Sequence, residues 1–130
     1  MIVVDASALL EVLLRTSRAE AIENRFFDGS EPLHSPHLLD IEIVQVVRRF
    51  TLLGELDVLR AQAALDDLAD FPIRRHAHDF LLRSIWDLRA SFTAYDATYV
   101  ALAENLEATL LTHDRRLAAA ARRHVTVELV

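Results

Sequence analysis

Ile2-Val3-Val4-Asp5-Ala6-Ser7-Ala8-Leu9 passes from an unbroken apolar triplet, through one carboxylate, into residues with helical spacing. A continuous apolar run suits a strand buried on both faces, and Ala8, Leu9, Val12 and Leu13 then mark one face of a helix. Asp5 therefore sits where a strand hands over to a helix. The same grammar returns at Thr109-Leu110-Leu111-Thr112, a second buried strand followed at Asp114 by an Ala-rich helix. Helical crossovers are what join parallel strands, so the two stretches together indicate an α/β fold around a small, mostly parallel sheet.

Outward from these anchors, Ser17-Arg18-Ala19-Glu20 reads as a capping box opening a second helix with Ile22 and Phe26 on its inner face. Leu33 to Ser35 is a short strand. A helix over 37–52 carries Leu39, Ile43, Val46, Val47 and Phe50, and Gly54 closes it. Val58, Ala61, Leu65 and Leu68 form a stripe on a helix over 56–69. Phe71-Pro72-Ile73 reads as a strand with Pro72 at its beginning or edge. Residues 76–88 read as a helix burying Leu82, Ile85 and Trp86, Thr93 starts another reaching about 106, and the alternating tail 125–129 reads as an edge strand.

Composition limits the function. A 130-residue chain is one domain, residues 1–130, and its 52% hydrophobic content supports a core. The absence of Cys removes disulfides, thiolate metal sites and a cysteine nucleophile. All 14 basic side chains are Arg, which removes lysine chemistry such as the Schiff base and the P-loop. No apolar run is long enough to span a membrane, and the start lacks the basic flank of a secretory signal, so a cytoplasmic location is expected. The net charge of −6 argues against a uniformly basic nucleic-acid surface, but it is uneven: residues 1–70 hold 13 acids and 6 Arg, whereas 71–130 hold 7 acids and 8 Arg. A polyanion has one side to approach.

Four carboxylates stand apart from the solvated faces. Asp5 and Asp114 follow the two buried strands, where open α/β sheets place ligand sites. Glu42 has apolar Leu38 and Val46 one helical turn to either side, and Asp96 stands three residues after Thr93. Each has a plain alternative: Asp5 and Asp114 as helix caps, Asp96 as part of a helix start, Glu42 satisfied by an Arg or at the surface. Gathered together, they would repel by roughly 4 kcal/mol per pair at ~4 Å and an effective dielectric of 20, which demands protons or cations. Oxygen ligands without Cys favour Mg²⁺, with Mn²⁺ able to substitute.

Val4-Asp5-Ala6-Ser7-Ala8-Leu9, Glu42 in its apolar helix, Ala94-Tyr95-Asp96-Ala97-Thr98-Tyr99-Val100-Ala101-Leu102-Ala103 and Leu111-Thr112-His113-Asp114-Arg115-Arg116-Leu117 resemble, in this order, a PIN-domain ribonuclease, specifically the VapC-type toxins of bacterial toxin–antitoxin pairs. The resemblance spans nearly the whole chain. It implies a PIN-like three-layer fold with a five-stranded parallel sheet between helices. It also implies an acidic metal site of Asp5, Glu42, Asp96 and Asp114 supported by the hydroxyls of Ser7 and Thr112, a homodimer, and inhibition by a cognate VapB-like antitoxin. The activity implied is metal-dependent hydrolysis of RNA phosphodiesters by water, leaving a 5′-phosphate. Arg89, Arg115 and Arg116 are candidate RNA contacts, and Phe26, Phe50 and Val58 candidate apolar surface for dimer or antitoxin. Glu107 stands in a turn where many relatives use Gly, and His113 occupies a variable position. The contrasting reading is a catalytically silent PIN-like module for dimerisation or antitoxin binding, against which the intact acidic quartet weighs.

Overall fold

A computed structural model describes residues 1–130. Five strands, β1 (Ile2–Val4), β2 (Leu33–Pro36), β3 (Ile73–His76), β4 (Thr109–Thr112) and β5 (Val127–Leu129), form one sheet in the order β3-β2-β1-β4-β5. Every neighbouring pair is parallel, with Val3 opposite His34 on one side and Leu110 on the other. The central strand explains the unbroken apolar triplet: Ile2, Val3 and Val4 are fully buried on both faces.

From β1 the chain steps outward to β2 and β3, then returns to the other side of β1 for β4 and β5. Right-handed crossovers place the helices of these two excursions on opposite faces, which gives three layers. The first excursion contributes α1 (Ala6–Leu13), α2 (Ala19–Phe27), α3 (Leu38–Leu52) and α4 (Val58–Asp70). The second contributes a 3₁₀ turn (Asp79–Leu81), α5 (Leu82–Asp87), α6 (Ala94–Asn105) and α7 (Arg115–Ala121). Helix α6 lies across β1, β2 and β4, and its run Ala97 to Ala103 is buried throughout. A helix apolar all round belongs inside. The strand order reverses between β1 and β4, so the carboxyl ends of those two strands flank the crevice where such sheets hold ligands.

Several expectations are corrected. Residues 76–88 are not one helix: β3 runs to His76, paired residue by residue with β2, and a 3₁₀ turn precedes the short α5. Arg75 holds that strand, its Nε 2.8 Å from Asp40 on α3 and its Nη2 donating to Leu68 O on α4. In so short a helix only Ile85 faces the core, leaving Leu82 and Trp86 exposed at 60% and 62%. The Ser17 capping box does not form. Arg18 stands at the start of α2 without any side-chain cap, and Thr16 Oγ1 accepts from Arg18 N in the turn before it. The inner stripe of α4 is Ala61, Ala64 and Leu68, with Val58 exposed in the first turn. Phe26 is core rather than docking surface, stacked edge-on against Phe71.

Candidate active site

The carboxyl end of β1 delivers Asp5, and its local environment follows from the next two turns of sequence. Asp5 caps α1, with Oδ1 accepting from Ala8 N at 3.1 Å. Ser7 lies one step into the helix and donates from Oγ to the same carboxylate at 2.8 Å. Thr112, the last residue of β4, reaches across and donates to Asp5 Oδ2 at 2.6 Å. The two hydroxyls are 3.2 Å apart, and they accept in turn from His113 N and Asp114 N. Two strand ends distant in sequence are thereby stitched through one carboxylate.

Asp114 caps α7, its Oδ1 accepting from Arg116 N and Leu117 N. Both capping alternatives are therefore realised, yet capping engages one oxygen of Asp114 and leaves the other open. Thr93 caps α6 by accepting from Asp96 N at 3.2 Å, while the Asp96 carboxylate receives no hydrogen bond from the protein. Glu42 projects from α3 and accepts from Tyr99 Oη at 2.7 Å. Tyr99 is 2% exposed and lies one turn after Asp96 on α6, so one helix brings a carboxylate and the hydroxyl that holds another.

Electrostatics bind the four into one group. Asp5 is 4% exposed, and burial pushes its pKa up to about 6 against its three hydrogen bonds, with the charge of Asp114 adding to the rise. Glu42 is raised by burial first and then by Asp96 and Asp5, opposed by the Tyr99 bond. Asp96 is raised by burial and by Asp114, opposed by Arg116. Burial and the charges of Glu42, Asp5 and Asp96 push the Tyr99 phenol far up, so it stays a donor. None of the four carboxylates forms an ion pair, whereas Glu31, Asp40, Asp87 and Glu128 do. Mutually repelling carboxylates without a protein cation, all oxygen donors, fit a hard divalent ion. They are not a finished cage: no three acidic or imidazole groups converge closely enough to enclose an ion as they stand.

The structure separates the three candidate arginines. Arg116 is the one whose charge reaches Asp96. Arg115 instead lines a concavity with Arg18 and His113. Arg89 folds over its own helix, with its guanidinium 4.6 Å from the centre of the Trp86 ring and Nη1 donating to Trp86 O, and no contact ties it to the acids. In the sequence Tyr99 falls within the motif around Asp96 without a role of its own, and Arg18 is given no part in the site. For Tyr99 the available signal was its spacing from Asp96; for Arg18, which depends on a loop, there was none.

The PIN domain model matches residues 2–123. Ribonuclease VapC9 of Mycobacterium tuberculosis is 42% identical over 117 residues, covering 90% of this chain and 88% of the relative. Ribonuclease VapC1 of the same species is 41% identical over 129 residues, covering 98% and 96%. Among solved structures, VapBC2 of Rickettsia felis bound to a fragment of its promoter DNA superposes with a TM-score of 0.72 at 12% identity, covering 99% of this chain and 98% of that one. FitAcB of Neisseria gonorrhoeae gives 0.70 at 17%, covering 98% and 96%.

Proposed function

The chain belongs to the PIN-domain family, with VapC ribonucleases as relatives at about 40% identity over nearly its whole length, and from that premise we propose that it is a divalent-metal-dependent endoribonuclease toxin restrained by a cognate antitoxin. One observation carries the chemistry: four carboxylates from β1, α3, α6 and β4–α7 share one electrostatic field while no protein cation pairs with any of them. A neutral packing role would select partners for them, because unpaired buried charge is costly.

In the proposed mechanism Asp5, Glu42, Asp96 and Asp114 hold Mg²⁺ or Mn²⁺, which would supply a more acidic water and neutralise charge growing on the phosphate oxygens. The chain's own residues do the orienting. Thr112 and Ser7 fix the plane of the Asp5 carboxylate by donating to both of its oxygens. Tyr99 occupies one oxygen of Glu42 and so aims the other. Asp96 and the free oxygen of Asp114 remain available for a metal or its water shell. Arg116 offers a charge to the RNA backbone beside Asp96, a contact that positions the strand without reading its bases.

Partner and assembly belong to the same proposal. The similar VapBC2 structure joins a VapB to a VapC by name, which supports a VapB-like partner for this chain, and a homodimer is the assembly the family reading brings with it. No helix is long and apolar enough to cross a membrane. Calorimetric titration of Mg²⁺ and Mn²⁺ into wild type and Asp96→Asn tests the shared site, with binding expected only in the former. Cleavage of total RNA, expected to stop with chelator and with Asp5→Asn, then tests the activity. Metal binding without cleavage of any RNA would favour the silent module instead.

A further inference from the structure

Next to the carboxylates the chain builds a second concavity of opposite charge, and hydrolysis as described leaves it without a task. It encloses about 520 Å³ and is lined by Arg18, His113, Arg115, Leu129 and Val130. Arg18 comes from the loop entering α2 and Arg115 from the first position of α7, so two distant segments converge on it. Arg25, Arg60, Arg75, Arg83 and Arg89 all spend their guanidiniums on protein acceptors. Arg18 and Arg115 do not, and although seven other arginines are equally unbonded, these two are the pair that share one recess. No Asp or Glu carboxylate comes within 4.0 Å of either.

The concavity is tied to the reacting centre by the backbone. His113 N donates to Ser7 Oγ, which donates to Asp5, and Asp114 is the next residue. The imidazole is held between Val130 O, on Nδ1, and Glu11, 3.9 Å from Nε2, so it forms a wall and leaves the two guanidiniums as the unengaged donors. Planar guanidinium forks match the oxygens of a phosphodiester, and a pair of them in a recess retains its donors for such a ligand. Carboxylates with cations on one flank also solve an electrostatic problem. A polyanion cannot thread a four-carboxylate centre unless the phosphates outside it are compensated.

Resting on the ribonuclease reading, we propose that Arg18 and Arg115 form a subsite for the phosphate neighbouring the scissile one in single-stranded RNA. The subsite sets the strand's register across the acids, and Arg18 is a positioning residue for the reaction. The test uses the full chain carrying Asp96→Asn, to suppress cleavage, and a fluorescein-labelled mixed-sequence single-stranded RNA followed by anisotropy over a salt series. Arg18→Gln and Arg115→Gln are each expected to weaken binding about 3- to 10-fold and to lower the slope of log K against log salt by about 0.7, one phosphate contact on a single strand. Arg122→Gln with Arg123→Gln, at the far end of α7, is expected to leave that slope unchanged. Unchanged slopes in the Arg18 and Arg115 variants, or an equal loss in the far-end control, would overturn the subsite. RNA cleavage by the unmutated chain, measured alongside, separates the two ideas: cleavage with unchanged slopes removes the subsite alone, whereas neither binding nor cleavage removes both.

Discussion

Asp5 serves two ends that conflict. As the cap of α1 and the acceptor from Thr112 and Ser7 it holds β1 and β4 together, yet its charge is buried and faces Asp114. Its pKa of about 6 in the fold, against 3.8 when free, fixes the sign of the effect on stability. A raised carboxyl pKa means the native state holds its proton longer, so the contribution is fully favourable below about pH 3.8 and is lost as pH rises through about 6. With chelator present, Asp5→Asn is therefore expected to be more stable than wild type at pH 7, by about 1–3 kcal/mol, and to lose that advantage near pH 4. Urea melts at the two pH values check it. The asparagine keeps the capping oxygen and drops the charge, and ribonuclease activity should vanish while the fold strengthens. Tyr99 makes the complementary case. Tyr99→Phe removes only the hydroxyl that aims Glu42, so Mn²⁺ affinity measured by calorimetry should fall about 5-fold, with little change in melting once the cavity-free ring is retained.

Among the elements, the turn between α6 and β4 shows what spacing can and cannot disclose. Helix α6 ends at Asn105, and the chain reaches β4 at Thr109 through Glu107 with φ of +51°, a left-handed conformation that disfavours a side chain. The family resemblance implies a Gly at position 107, and the backbone there takes a conformation that Gly adopts without strain. Glu107 is exposed, so Glu107→Gly removes strain without opening a cavity, and a gain of about 0.5–1 kcal/mol in thermal unfolding is expected with activity intact. Where the elements were misread, the cause was equally local. A helical stripe of Leu82, Ile85 and Trp86 is present in the letters, but β3 claims residues through His76 by pairing with β2, and what remains is too short to bury more than Ile85. Strand pairing is a non-local term that periodicity does not contain. Ser17 does not cap α2 because the helix begins one residue later, after Arg18, and Ser17 lies in the turn before it.

At the scale of the whole molecule, legibility divided along the same line. Apolar runs of β1 and β4 and the carboxylates just after them were readable because burial on both faces and position at a strand end leave marks in a single segment. The relation among Asp5, Glu42, Asp96 and Asp114 was not readable from any segment, since it depends on the sheet order reversing between β1 and β4 and on α6 crossing that seam. Nor was the partnership of Arg18 with Arg115. The fold thus concentrates repulsion at its own topological switch point, and this dictates how it should answer a divalent ion. Burial and neighbouring charge raise the proton affinity of Asp5, Glu42 and Asp96, and no three of the acids converge into a closed cage. An ion that binds the native arrangement and not the unfolded chain stabilises the fold by mass action, about 2.7 kcal/mol when its concentration is 100-fold above Kd. Scanning calorimetry in chelator, Mg²⁺ and Mn²⁺ should show Tm rising with ion concentration in wild type, and no rise in Asp5→Asn or Asp96→Asn at the same ionic strength. Equal rises in all three proteins would mean that the cations act on the overall charge of −6 and not on this seam, and the four carboxylates would lose their assignment as one site.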